Sequence, residues 1–447
     1  MTSVVWFRRD ARLDDNPAVT MAAGQGPICA LFVIDPHLYD RCSQRRRNLL
    51  VAGLDALDAR IRELGGRLRV ESGDPVDVVP TVAAEVGAGS VHVNAEVTPY
   101  GSERDRKLAE VCEMTGHEGI YAHPPGSVVT NEGEPYKVFG PFLTRWSHRS
   151  SRPSRSPTIP SSSARQGRAC RRPDQARTGP GRARPGPGSG NSRRGRTPIS
   201  TSATRIDLDA NSNLSIDLKY GWVGPRRVID EVGTGSSSRA GFVRQLAWRD
   251  FYGHLLAAHP SIAEAPLDER YREIEWRNDP GEITAWKRGE TGFGLVDAAM
   301  RRLVTEGRMH NRARMIVASF LVKDLLVDWR VGERFFRHHL LDGDIAQNAG
   351  NWQWVAGIGT DSAPYSRVFN PVTQWKKFDP WGRHIRRWVP ELADVFDDMI
   401  HAPWEAGPLG LLSCGVELGK DYPQPIVDHG TARERAIEAY ERAGGSR

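Results

Sequence analysis

Cysteine is scarce in this sequence. Five are spread over 447 residues, at positions 29, 42, 112, 170 and 414, odd in number and without a CxxC pair. That excludes a disulfide framework and a thiolate metal site, and it fits a reducing, cytoplasmic setting. Long apolar runs are missing too, since no stretch approaches the ~18 consecutive apolar residues of a membrane span. The opening run Val4-Val5-Trp6-Phe7, followed by Arg8-Arg9-Asp10, has the order of a buried strand and its exit. It lacks the charged lead, long apolar stretch and small-residue cleavage site of a signal peptide. Lysine is absent where arginine is densest: residues 149–196 hold 13 Arg, no Lys and one acid, Asp174. The formal net charge of +6 therefore belongs to one segment, and the rest of the chain stands at −6. Bulk charge gives no argument for a nucleic-acid partner, and any such argument must come from particular residues.

What is present divides into three regions. From residue 3 to about 125, short apolar runs alternate with helical patterns; the runs are Val4–Phe7, Ile28–Ile34, Leu68–Val70, Val91–Val93 and Ile120–Ala122. Between them, Arg46–Leu64 carries apolar residues at 49, 50, 54, 57, 61 and 64, the spacing of one helix face. Such alternation predicts a Rossmann-like parallel sheet covered by helices, an α/β domain over 1–128. Residues 206–447 read as an all-α domain rich in Trp, and 129–205 as a linker. Within it, 149–205 is Arg, Pro, Ser and Gly, too poor in apolar surface to offset its ordering entropy. It reads either as an unstructured linker or as a stretch translated in a shifted frame of a GC-rich gene. The Gly-Pro-Gly-Ser-Gly at 186–190 follows no strand and opens no helix, so it is not a phosphate loop.

The chemistry lies in three islands of the C-terminal region: Gln245–Tyr252, Gly307–Met315 and Asp342–Trp354. The third places Asp342, Asp344 and Asn348 within seven residues and follows them with Trp352 and Trp354. Alone, Asp342-Gly343-Asp344 is compatible with an ordinary turn, and it lacks the Glu that closes a calcium loop. Two Trp at i, i+2 are by themselves more often packing than function. Together, carboxylate acceptors, an amide and electron-rich rings suit a redox-active aromatic cofactor.

These islands resemble the photolyase/cryptochrome family, and in particular its class I cyclobutane-dimer photolyases. The likeness extends to Val5–Leu13, Tyr136–Phe142, Val296–Arg301, Ala318–Leu325, Phe369–Gln374 and Tyr422–Val427. It implies FAD in the helical domain, an antenna chromophore (8-hydroxydeazaflavin or methenyltetrahydrofolate), UV-damaged DNA as substrate, no membrane and a monomer. It also implies residue roles. Arg314, Asp342, Gly343, Asp344 and Asn348 would hold the flavin, with Asn348 facing its N5. Asn211, Ser212, Asn213, Leu214 and Ser215 would form the phosphate turn. Trp352, Trp329 and Trp276 would relay electrons, while Gln245, Trp248, Asn311, Arg312, Met315, Trp354, Arg367 and Gln374 would meet the DNA. A dimer flipped out of the duplex would then stack on Trp248 and Trp354, a mode for which photolyases are a standard example.

The sequence departs from the family pattern in four places. Asn211 stands where Thr is usual, Gln245 where Glu is usual, and Arg308 where Trp is common. The Tyr and Arg expected eight to twelve residues before the phosphate turn have no counterpart. The expected function is light-driven repair of cyclobutane pyrimidine dimers. The alternatives are a blue-light photoreceptor without repair, against which Asn348 argues, and a family member that fails to hold FAD.

Overall fold

The computed structural model describes residues 1–149, 205–208 and 210–444. The expectations for 150–204 lie outside the described residues. Packing groups the described chain into two units, one of 1–149 with 213–260, the other of 205–212 with 261–444. The expected boundaries fell after 128 and 205; by packing, 213–260 groups with the N-terminal region.

The first unit is built on a five-stranded sheet in the order β3-β2-β1-β4-β5, with every pair parallel. Its strands are β1 (Thr2–Phe7), β2 (Ile28–Ile34), β3 (Arg69–Ser72), β4 (Ala88–Asn94) and β5 (Met114–His117). The central strand β1 is buried on both faces, which is why it reads as an unbroken apolar run. Helix Gln44–Glu63 buries Leu54, Leu57 and Ile61, the predicted face.

One expected strand is corrected. The fifth strand is Met114–His117, a half-exposed edge whose sequence has no apolar signature. Ile120–Ala122 is buried, but its backbone bonds go to side chains of helix Ser237–Ala258. Arg249 donates to Ile120 O at 2.7 Å, and the Asp250 carboxylate accepts from the N–H groups of Ala122 and His123. Burial made that run apolar; a side chain, not a neighbouring strand, satisfies it.

The second unit is helical and surrounds one large core that includes Trp286, Phe320, Trp329, Phe336, Trp352 and Trp375. Three of its helices matter for function: Asn311–Ser319, Trp329–His339 and Ile345–Ala356. The first runs on into a π-helical turn, Phe320–Asp324, a distortion common beside functional sites. No helix among the described residues is long and apolar enough to cross a membrane.

Candidate cofactor site and lesion-side residues

Those three helices and the turn Asp342–Asp344 line an open cleft. Its polar lining includes Asn311, Arg314, Asp342, Asp344, Gln347 and Asn348; Met315, Ala318, Phe336, Leu340, Trp352 and Val355 are its apolar lining. Each wall has a local cause. His310 caps helix Asn311–Ser319 by accepting from Arg312 N–H at 3.0 Å, so this histidine is structural. Asp344 caps helix Ile345–Ala356 by accepting from Gln347 N–H at 3.1 Å. Asp342 pairs with Arg314 through two bonds of 2.9 and 3.1 Å, which fixes both on the rim.

Two glycines permit the close approaches. Gly307 adopts φ +67°, and a Cβ there would fall 2.8 Å from Leu341, in the segment that delivers Asp342. On the helix facing Trp352, a Cβ at Gly332 would fall 2.1 Å from the indole. Glycine at 332 is what lets Trp352 seat against that helix and line the cavity.

Asn348 is oriented by a residue that sequence reasoning missed. Its Nδ2 donates to the backbone carbonyl and to Oε1 of Glu333, both at 2.9 Å. A carbonyl can only accept, so the amide nitrogen must face Glu333 and Oδ1 is the atom left for the cavity. Glu333 is 2 % exposed, and burial raises its pKa, with Arg337 opposing. Its signal was unreadable in sequence because the two residues lie on different helices, fifteen positions apart. Trp286 was also missed. It is fully buried and meets the Trp352 ring edge-on at 6.4 Å.

The lining offers a flavin ring both kinds of partner it needs, apolar side chains and carboxylate, amide and guanidinium groups. Of the expected cofactor residues, Arg314, Asp342, Gly343, Asp344 and Asn348 line it; Asn211, Ser212, Asn213, Leu214 and Ser215 do not. Asn211, Ser212 and Asn213 are exposed, with Asn213 left-handed at the start of helix Leu214–Tyr220. Trp329 and Trp352 sit in the second unit's core, and Trp276 packs against it, edge-on to Tyr440 at 6.1 Å.

Among the expected DNA-side residues of this unit, Asn311 and Met315 reach the cavity. Arg312 lies one position along the same helix, its guanidinium 4.6 Å from the centre of the Phe378 ring. Burial, and then the charge of Arg367, lower its pKa. Among the described residues no carboxylate lies within ion-pair reach of Arg312 or Arg367, so two cations stand together uncompensated. Trp354 is half-buried against the core, and Gln374 lies on helix Pro371–Phe378. In the first unit, Gln245 is exposed and Trp248 half-buried, one face stacked on Phe139 at 3.6 Å and 10°.

A parallel, doubly wound sheet in one unit and, in a helical unit, a cleft lined by carboxylates, an amide and Trp352 fit a flavoprotein of the photolyase class. Family profiles agree: residues 3–161 match that of DNA photolyase, and 242–442 match the FAD binding domain of DNA photolyase. A deoxyribodipyrimidine photo-lyase of Halobacterium salinarum is 38% identical, the match covering 98% of this chain and 99% of that one. A class III photolyase from Agrobacterium tumefaciens superposes with a TM-score of 0.85 at 33% identity, covering 99% of this chain and 97% of its own. A photolyase of Sulfolobus tokodaii, solved with two FAD molecules, gives 0.83 at 29%, covering 99% and 100%. This chain belongs to the DNA photolyase family.

Proposed function

We propose that the chain is a deoxyribodipyrimidine photo-lyase, which uses light to split cyclobutane pyrimidine dimers in DNA. The observation that carries this reading is the cleft itself, lined by Asp342, Asp344, Asn348 and Trp352, with the neighbouring cations Arg312 and Arg367. When bound there, reduced FAD supplies, on absorbing light, the electron that opens the dimer ring. Arg314 and Asp342 orient each other so that a guanidinium and a carboxylate meet the polar edge of the ring. Asp344 serves both the helix cap and the cavity. Asn348 presents an oxygen, an acceptor that favours an N–H over a bare ring nitrogen, so the site favours the reduced, protonated ring. Trp352, buried against Gly332 and Phe336, suits electron relay because its ring is held rigid and away from water; Trp329 and Trp276 continue the route in this reading.

Arg312 and Arg367 attract the phosphate backbone, while Asn311 and Met315 meet the lesion at the cavity mouth. Trp354 and Gln374 complete the lesion contacts of the second unit, and Gln245 and Trp248 are assigned to DNA within the first. A second light-absorbing group, deazaflavin or folate, belongs to the same reading, and the second FAD of the Sulfolobus relative supports it.

The reading is tested by Asp342→Asn. Loss of the charge-assisted pair to Arg314, a contact of about 1.5–3 kcal/mol, is expected to weaken FAD retention tenfold or more during dialysis. Purified parent protein that stays colourless with excess FAD contradicts the site.

A further inference from the structure

Helices Pro371–Phe378 and Arg383–Trp388 are joined by a turn, Asp379-Pro380-Trp381-Gly382, that is built to be rigid. Pro380 fixes its own φ. Gly382, at φ +60°, donates its N–H to Asp379 O at 2.9 Å. The buried Asp379 carboxylate accepts from the N–H groups of His384 and Ile385, and His401 Nε2 bonds its carbonyl at 3.0 Å. A Cβ at Gly382 would fall 2.6 Å from Ile400. This scaffold holds Trp381 out in solvent, 54% exposed; only Phe396 among the other described Trp and Phe side chains is as exposed.

The surroundings of Trp381 are basic. Lys376 and Lys377 are exposed, and among the described residues neither has a carboxylate within ion-pair reach. Arg383 reaches Asp207 only at 4.0 Å, and Arg387 reaches Glu306 at 3.5 Å, both from largely exposed positions where such pairs hold weakly. The patch is continuous with the lesion-side cations, because Lys377 and Arg312 both lie on the Phe378 ring, at 5.5 and 4.6 Å.

We propose that Trp381, with Lys376, Lys377 and Arg383, is a second DNA contact that takes the strand flanking the lesion, phosphates on the cations and an unstacked base on the indole. The inference rests on the reading of the chain as a DNA repair enzyme. A polyanion carrying flat apolar rings is the ligand class that meets both features. An acidic peptide would satisfy the charges and leave the ring uncovered. Rigidity of the turn favours binding, since little freedom is lost when the indole stacks.

The experiment uses the full chain with FAD in the dark and two labelled DNAs containing one dimer, one with a long unpaired flank and one trimmed to the nearest neighbours. Trp381→Ala is expected to bind the flanked DNA about tenfold more weakly and the trimmed DNA equally well. Replacing Lys376 and Lys377 together by Ala is expected to lower the salt slope on the flanked DNA by about two. An unchanged flavin absorption spectrum shows that the variants are folded. Equal affinity and salt slope in parent and variants overturn the proposal, as does an equal loss on both DNAs, which would put Trp381 in the lesion pocket. A change in oligomeric state on Trp381→Ala also overturns it, by assigning the ring to a second copy. Because binding is read without light, a parent that repairs nothing yet shows the flank dependence refutes only the repair reading.

Discussion

Asn348 shows how much of a site hangs on one unremarked neighbour. Its two N–H groups are committed to Glu333, so its oxygen is the group offered to the cavity. In Asn348→Asp the donors vanish, and a second carboxyl sits against Glu333, whose pKa burial already raises. Leaving buried partners unsatisfied costs about 1–3 kcal/mol, and a carboxylate there would repel the negative charge of a reduced flavin. The expected outcome is reduced flavin that reoxidises in air about tenfold faster, read from the recovery of its visible absorption. Equal reoxidation rates contradict the assignment of Asn348. The carboxylates, the amide and the Trp pair at 342–354 were legible because they fall within thirteen residues. Glu333 and Trp286 were not, since their partners are brought to them only by helix packing.

Among the elements, strands with an apolar run were legible, the half-buried edge β3 through Leu68–Val70 included, and the strand without one was not. The runs at β1, β2 and β4 name themselves. β5, Met-Thr-Gly-His at an edge, has no such run, while Ile120–Ala122 has one without being a strand. The helix pair that frames Trp352 carries a sharper test. A methyl at Gly332 would overlap the indole, so Gly332→Ala must push Trp352 towards the cavity or part the helices. Overpacking of this kind costs about 1–3 kcal/mol. A fall in melting temperature together with weaker FAD retention is expected. A variant that melts lower but holds FAD as tightly as the parent would show that Trp352 does not shape the site.

For the whole molecule, buried titratable groups set the acid response. Asp297, fully buried, accepts from Thr291 N–H and Oγ1 at 2.8 and 2.7 Å and from Tyr422 Oη at 2.6 Å, tying the Tyr422 segment to helix Gly294–Glu306. Burial lifts its pKa to about 6, against the opposing hydrogen bonds. An unfolded Asp titrates near 3.9, so the folded state binds this proton more tightly. Its contribution is complete below about pH 4 and is lost as pH rises through 6. Urea melts of parent and Asp297→Asn are therefore expected to diverge on acidification from pH 7 to 4, by about 2 kcal/mol in the parent's favour. A constant difference contradicts the burial argument. The central claim, that this chain turns light into dimer repair, has a more direct test. Purified protein with chemically reduced FAD is mixed with DNA carrying one cyclobutane dimer, and intact pyrimidines are counted after blue light and after darkness. The account predicts restored pyrimidines in light and none in darkness; bound, light-responsive flavin with every dimer left intact would contradict it.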